Sequence, residues 1–342
     1  GFTSEKYRTI VVVLSLSVVA LVMQVSIISL KSLLVLNPDI FLLIYKMMQA
    51  LNGSLVALIT PMLENGGIDF SSLGKLIDWH INEGTNGIVS VGTTGESATV
   101  NIEEHVKIIE YTVKHVNKRI PVIAGTGANS TSEARDLTQE ACALGADFAL
   151  IVTPYYNKPT QKGLIKHYIE LAESADLPQI LYNVPSRTAC DLLPSTASIL
   201  SDHKNIVGIK EAVSEKERIK ELLAIGRSKG NFKIYSGDDP TFFDFLKMGG
   251  DGVISVAANV IPKSISSICR FVRENNINEA KKLNEANNNL YELLFIESNP
   301  IPVKWMAYKM GLTENSIRLP LTELDKQYQE NIITEMLKLK MI

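Results

Sequence analysis

A lysine that closes an apolar run carries the strongest chemical signal in this sequence. In Asn205-Ile206-Val207-Gly208-Ile209-Lys210 the two-residue period of an extended chain predicts that Lys210 shares a face with Gly208 and Ile206. If that face looks into a closed core, burial disfavours an ammonium, and the neutral amine is the form that attacks a carbonyl carbon. Gly208 beside it leaves room for a substrate. Lysines at strand ends also snorkel to water, so this reading needs partners. Tyr182, on one alternating face with Ile180, and Tyr156, closing another run, offer phenols that pass protons while staying neutral. Taken alone, each reads as a core aromatic. Gly92-Thr93-Thr94-Gly95 places hydroxyls and backbone N–H groups between two glycines, which makes either a carboxylate cradle or an ordinary turn.

Positioning such groups requires a scaffold, and the hydrophobic pattern supplies one. Eight short runs rich in Val and Ile fall at 55–60, 88–91, 121–124, 149–153, 179–182, 206–210, 233–236 and 252–256. Helical patterns alternate with them at 73–83, 103–116, 132–144, 164–175, 194–200, 217–227 and 240–248. Asn101 with Glu104, and Ser214 with Glu217, have the spacing of N-terminal capping boxes. Strands apolar on both faces that alternate with helices imply a parallel sheet, and eight units predict a closed (β/α)8 TIM barrel, an α/β fold. In such barrels chemistry sits at the C-terminal ends of the strands, where Lys210, Tyr182, Tyr156 and the Thr93–Thr94 turn all fall. The alternation stops after the eighth run. Helical segments at 265–273, 278–295, 303–310 and 324–339 come next, so we expect a barrel over 48–275 and a small helical C-terminal region over 276–342.

Composition narrows the function classes. With 46% hydrophobic and 21% charged residues the 342-residue chain is neither disordered nor fibrous. Its 34 Lys and Arg against 37 Asp and Glu form no basic block, which argues against a nucleic-acid partner. Cys142, Cys190 and Cys269 are few and odd in number, which fits a reducing compartment, and a cytoplasmic location is expected. No metal-ligand spacing occurs among the histidines and cysteines, and Gly125-Thr126-Gly127-Ala128-Asn129-Ser130 lacks the third glycine of a dinucleotide fingerprint. Neither metal nor nucleotide cofactor is expected. Residues 1–47 differ from the rest: Thr9 to Leu30 contains no charge and is long enough to span a bilayer. The competing reading, which we prefer, is an extension outside the working protein, because the sequence starts at Gly1 and Met47-Met48 stands just before the first globular segment.

The assembled residues resemble the dihydrodipicolinate synthase family of class I aldolase-like barrels, from Gly53 to Leu319. The resemblance rests on Gly87-Ile88-Val89-Ser90-Val91-Gly92-Thr93-Thr94-Gly95-Glu96, on Tyr182-Asn183-Val184-Pro185-Ser186-Arg187-Thr188, and on Gly208-Ile209-Lys210-Glu211-Ala212. It implies a Schiff base between Lys210 and pyruvate, whose carboxylate sits on Thr93 and Thr94. The enamine then adds to L-aspartate 4-semialdehyde, giving 4-hydroxy-tetrahydrodipicolinate on the route to diaminopimelate and lysine. It further implies a proton relay of Thr94, Tyr182 and Tyr156, the last reaching into a neighbouring subunit, so that a dimer is the minimum unit and a tetramer built from dimers is expected. Arg187 would hold the semialdehyde carboxylate through a bidentate guanidinium, with Gly237 and Ile254 as further pocket positions. Feedback inhibition by L-lysine is implied through Ser97, Ala98, His105, Asn129, Glu133 and Tyr155, although Asn129 and Glu133 also suit capping and solvation of the helix at 132–144. Two departures stand out in the chain itself: Ala189 where the family usually has glycine, and Ile102 where some lysine-sensitive relatives carry histidine. Within the same fold N-acetylneuraminate lyase is the alternative, against which Arg187 and the paired Tyr155-Tyr156 argue; from another class, a barrel without activity that serves as a scaffold is the alternative.

Overall fold

Each of the eight apolar runs becomes a strand, and the strands pair in sequence order. The computed structural model describes residues 52–342; the expectation for residues 1–47 lies outside the described residues. β1 (Gly53–Ala57), β2 (Gly87–Ser90), β3 (Val122–Gly125), β4 (Phe148–Val152), β5 (Gln179–Asn183), β6 (Ile206–Glu211), β7 (Lys233–Ser236) and β8 (Gly252–Ser255) form a closed parallel barrel. β8 pairs with β1, Ile254 lying opposite Leu55. Alternation divides the apolar residues into two cores, as a sheet buried on both faces requires. Leu55, Val89, Ile123, Leu150, Ile180 and Ile254 fill the barrel, whereas Val56, Ile88, Val122, Ile151, Leu181 and Val253 pack outward against the helices.

The helices keep to the expected pattern with informative exceptions. α1 (Phe70–Asn82), α2 (Ile102–Val116), α3 (Thr131–Ala143) and α4 (Gln161–Ser174) cover the first half, and a short helix that periodicity did not reveal, α5 (Pro185–Thr188), precedes α6 (Pro194–Leu200). α7 (Lys216–Lys229), α8 (Phe242–Lys247) and α9 (Pro262–Arg273) complete the ring, before α10 (Ile277–Ala286), α11 (Asn288–Leu293), α12 (Ile301–Lys309) and α13 (Lys326–Lys338). The capping box at Asn101 forms: the Glu104 amide donates to Asn101 Oδ1 at 2.9 Å, and the Asn101 amide to Glu104 Oε2 at 3.3 Å. The one expected at Ser214 does not. α7 starts one residue later than that box requires and is capped at Glu215 without a side-chain bond, while Glu217 accepts from Lys220 at 2.6 Å. The single helix expected over 278–295 is broken at Asn287, whose buried amide donates across to Ser264 Oγ at 2.7 Å and back to the Leu283 carbonyl at 3.0 Å. Such side-chain bonds compete with the helical ladder. Among the described residues, no helix is long and apolar enough to cross a membrane.

Among the described residues His80, His105 and His167 are buried, and two of them bond to threonine hydroxyls. His80 Nδ1 bonds Thr85 Oγ1 at 3.1 Å and His167 Nδ1 bonds Thr131 Oγ1 at 2.9 Å, and burial pushes their pKa values down from 6.5 to about 3 and about 4. The unfolded chain therefore takes up protons below pH 6.5 that the folded protein refuses, so stability is full above that pH and falls as pH drops toward 4. Each histidine contributes a slope of about 1.4 kcal/mol per pH unit across this window. Urea unfolding monitored by circular dichroism should show a lower midpoint at pH 5 than at pH 7, and His167→Gln should flatten the decline; equal midpoints in the wild type would show that these rings ionise freely in the fold.

Candidate active site

The inward direction of Lys210 depends on an irregularity in β6. Gln179 pairs with Ile206 but Ile180 pairs with Gly208, so two residues advance on β6 against one on β5. This shift is a bulge, and it changes the face on which every later β6 side chain lies. Ile206 packs in the outer core while Val207 packs against the inner one, which corrects the expectation that Ile206 and Lys210 share a face. Lys210 itself is 5% exposed, and its Nζ lies 4.1 Å from the ring centroid of Tyr182, its register partner on β5. On β7 its partner is Tyr235, a fully buried barrel residue that sequence reasoning passed over. Burial raises the Tyr235 phenol well above its ordinary pKa and so keeps it neutral.

Of the two glycines near Lys210, Gly208 does not have the role that the sequence suggested. A Cβ on Gly208 would lie 2.6 Å from the Lys233 carbonyl oxygen, so Gly208 admits the β7 backbone rather than a substrate. At Gly237 a Cβ would lie 3.0 Å from Lys210 Cε and 3.2 Å from its Cγ. Gly237, already expected in the pocket, is the residue that leaves the lysine space. Ile254 lines the same barrel interior from β8.

The Thr93–Thr94 turn comes directly after β2. Its internal bonds use the amides of Gly95 and Ser97, both to the Gly92 carbonyl at 3.0 and 3.3 Å, and of Glu96 to the Thr93 carbonyl at 3.1 Å. Among the described residues the Thr93 and Thr94 amides donate to no protein acceptor, which is what an anion cradle needs. Thr94 is buried and its Oγ1 accepts from Asn299 Nδ2 at 2.9 Å, whereas Thr93 is half-buried. Val91 and Glu96 adopt left-handed conformations, φ 53° and 59°, in which side chains cost energy. Glu96 is tied there by residues of the C-terminal region. Its buried carboxylate pairs with Lys304 of α12 and accepts the Arg318 amide at 3.1 Å, while the Arg318 guanidinium grips both oxygens of Glu104 at 2.7 Å. Burial pulls the Lys304 pKa down and Glu96 opposes it. None of Asn299, Lys304 and Arg318 was legible as a site residue, since each meets the turn across more than 200 positions of sequence.

The remaining expected residues are mostly more exposed, with His105 the buried exception. Arg187 lies on α5 and is exposed, with its Nη2 donating to the Asn299 carbonyl at 3.3 Å. Ala189, just beyond, has φ 55°, a left-handed geometry that glycine adopts without penalty. Tyr156 is not brought to Lys210 within this chain: it is 89% exposed, with φ 75°. Of the six residues expected to bind lysine, Asn129 Nδ2 donates to the Tyr155 carbonyl at 3.2 Å, and Glu133 stands exposed in the first turn of α3. The cap of α3 is Ser130, not Asn129. His105 is buried with Nε2 at 2.6 Å from the Gly125 carbonyl, and burial lowers its pKa; Ser97 is half-buried and Ala98 exposed on the β2 turn. Among the described residues no group of three or more His, Cys, Asp or Glu side chains is placed to hold a metal ion.

Over most of its length the chain is similar to known proteins. It is 55% identical over 278 residues to a 4-hydroxy-tetrahydrodipicolinate synthase of Stutzerimonas stutzeri, covering 81% of this chain and 94% of that one. A dihydrodipicolinate synthase from Acinetobacter baumannii, solved in complex with pyruvate, is 51% identical with a TM-score of 0.83 and covers 85% of this chain and all of that one (100%). The enzyme from Cyanidioschyzon merolae with lysine bound is 34% identical, with a TM-score of 0.82 over 86% of this chain and 99% of that one. The family profile matches residues 50–339, and the chain belongs to the dihydrodipicolinate synthetase family.

Proposed function

We propose that this enzyme condenses pyruvate with L-aspartate 4-semialdehyde to give 4-hydroxy-tetrahydrodipicolinate through a Schiff base on Lys210. The observation that carries the assignment is a buried lysine amine beside the Tyr182 ring, at the C-terminal end of a barrel strand, with its stem packed where Gly237 has no side chain. The amine adds to the pyruvate C2 carbonyl and loses water to form an imine. Loss of a methyl proton gives the enamine, whose carbon attacks the aldehyde. The semialdehyde's own amine then displaces Lys210 from C2 and closes the ring.

Each step needs a proton carrier or an anion site, and the surroundings of Lys210 supply both. The free amides of Thr93 and Thr94 suit the pyruvate carboxylate. Tyr182, with a hydroxyl of the Thr93–Thr94 turn, relays protons. We assign Thr94 to this relay on the strength of its fixed hydroxyl. Tyr156 completes the relay from a neighbouring subunit, a role supported by its exposed ring and constrained backbone, and a dimer, paired into a tetramer, is then the working assembly. Arg187 receives the semialdehyde carboxylate at the mouth, with Ile254 and Gly237 forming the pocket wall. L-lysine acts as a feedback inhibitor at the Ser97, Ala98, His105, Asn129, Glu133 and Tyr155 cluster, a reading supported by the lysine-bound relative from Cyanidioschyzon merolae. Ile102, exposed at 61%, offers no polar contact there, which weakens lysine binding by about 1 kcal/mol.

Three measurements test this chemistry. Borohydride added with pyruvate should leave a reduced pyruvyl group on Lys210 in peptide mass spectrometry and none on Lys210→Ala; a label elsewhere on active protein would refute the mechanism. Gly237→Ala, which presses a methyl group against the Lys210 stem, should slow that labelling roughly tenfold or more, and an unchanged rate would show that the lysine does not need this space. Lysine titrated into a coupled assay should inhibit partially at millimolar concentration, and Glu133→Ala should remove inhibition while sparing turnover. Full turnover of the wild type at those concentrations would mean that the cluster is not a regulatory site.

A further inference from the structure

Behind the reacting face, on the outer side of the same two strands, lies an ionic cluster that the proposed mechanism does not use. Tyr182 and Lys210 are register partners, and so are the next residues on each strand, Asn183 and Glu211. Alternation turns that second pair outward. The outward residues one step earlier on each strand, Leu181 and Ile209, are apolar and buried, so the change to polar groups falls at the level of the reacting residues.

The cluster is fully bonded and centres on Arg218 of α7. Arg218 Nε donates to Glu211 Oε2 at 2.9 Å, Nη1 and Nη2 grip Asp191 at 3.0 and 2.7 Å, and Nη2 also reaches the Leu192 carbonyl at 2.6 Å. Glu211, whose side chain is 1% exposed, accepts further bonds from the Val213 amide at 2.8 Å and from Asn183 Nδ2 at 3.1 and 3.2 Å. Asn183 closes the circuit, accepting from the Leu192 amide at 2.8 Å and donating to Asp191 Oδ1 at 2.9 Å. These bonds act on the site in two places. The Glu211 side joins the ends of β5 and β6, and so fixes the spacing of Tyr182 and Lys210. The Asp191 side joins residue 183 to residues 191–192, and so ties off the base of the segment that carries Arg187 on α5.

We propose that Asn183, Asp191, Glu211 and Arg218 form a positioning clamp whose Glu211 arm holds Lys210 for imine formation and whose Asp191 arm holds Arg187 for the second substrate. The inference rests on the Schiff-base reading of Lys210 and on the carboxylate-binding role of Arg187. A buried ion pair is commonly no more stabilising than apolar residues of the same volume, whereas breaking one leaves an uncompensated charge. Fixed geometry at two strand ends is what this pair supplies beyond stability. Displacing a reacting group by about 1 Å can cost roughly a hundredfold in rate.

The two arms separate in kinetics. Glu211→Gln keeps the side-chain shape but turns an amide toward Arg218; it should slow pyruvate-dependent borohydride labelling of Lys210 by roughly tenfold to a hundredfold per labelled site. Asp191→Asn should leave that labelling rate unchanged while raising the KM for the semialdehyde about tenfold. Label stoichiometry counts the folded sites in each sample. Labelling rates and KM values per site within about twofold of wild type in both variants, even where stoichiometry falls, would overturn the clamp and leave a structural role only. Wild-type protein that takes no label on Lys210 would instead overturn the Schiff-base reading, and this inference with it.

Discussion

One extra residue in β6 sets the direction of everything beyond it. Side chains on a strand alternate, so a one-residue advance against the neighbouring strand moves each later side chain to the opposite face. The step from Ile206 to Gly208 against Gln179 and Ile180 is such an advance, and after it Lys210 points into the barrel while Glu211 points out. Were the ladder regular from Ile206 onward, the carboxylate of Glu211 and the amine of Lys210 would exchange environments. The barrel would then hold a carboxylate at its centre, and a lysine would face Arg218. The site therefore depends on a backbone irregularity more than on any single contact.

Two sets of long-range bonds hold the rest of the site against that strand. On one side, Asn299, Lys304 and Arg318 tie the C-terminal region to the turn after β2, keeping Glu96 in a left-handed conformation and Thr94 Oγ1 in a fixed place. On the other, Arg218 joins β5, β6 and the base of the Arg187 segment. Each set contains one ion pair held largely out of water, Lys304 with Glu96 and Arg218 with Glu211, and such a pair tolerates few alternative geometries because a displaced partner leaves an unsatisfied charge. Asn299 links the two sides, bonding Thr94 through its side chain and Arg187 through its carbonyl. The C-terminal region thus forms part of the rim of the barrel mouth.

Much of this was legible in the sequence because it is periodic or local. Alternation of Val and Ile runs with amphipathic stretches predicts the barrel, and the strand ends point to Lys210, Tyr182 and the Thr93–Thr94 turn. The capping box at Asn101 is a contact over three residues, and it forms. What escaped has one physical cause: it depends on neighbours that sequence proximity does not specify. Period-two reasoning assumes a regular ladder, so it put Ile206 on the wrong face and gave Gly208 the space that belongs to Gly237. Ser214 had cap spacing, but the helix starts one residue later, with Glu215 at the cap. Asn287 breaks a helix by bonding Ser264, a residue of a different helix. The ties of Glu96 and Thr94 to residues more than 200 positions away have no local signature at all.

The central claim is that Lys210, turned inward by the β6 bulge, is the atom-level site of covalent chemistry. A crystal structure of the protein soaked in pyruvate and left unreduced tests it most directly. The account requires continuous electron density from Lys210 Nζ to C2 of the bound molecule, with the carboxylate against the amides of Thr93 and Thr94. Pyruvate bound with its carbonyl intact and Lys210 Nζ unbonded, or bonded to any other side chain, would contradict it.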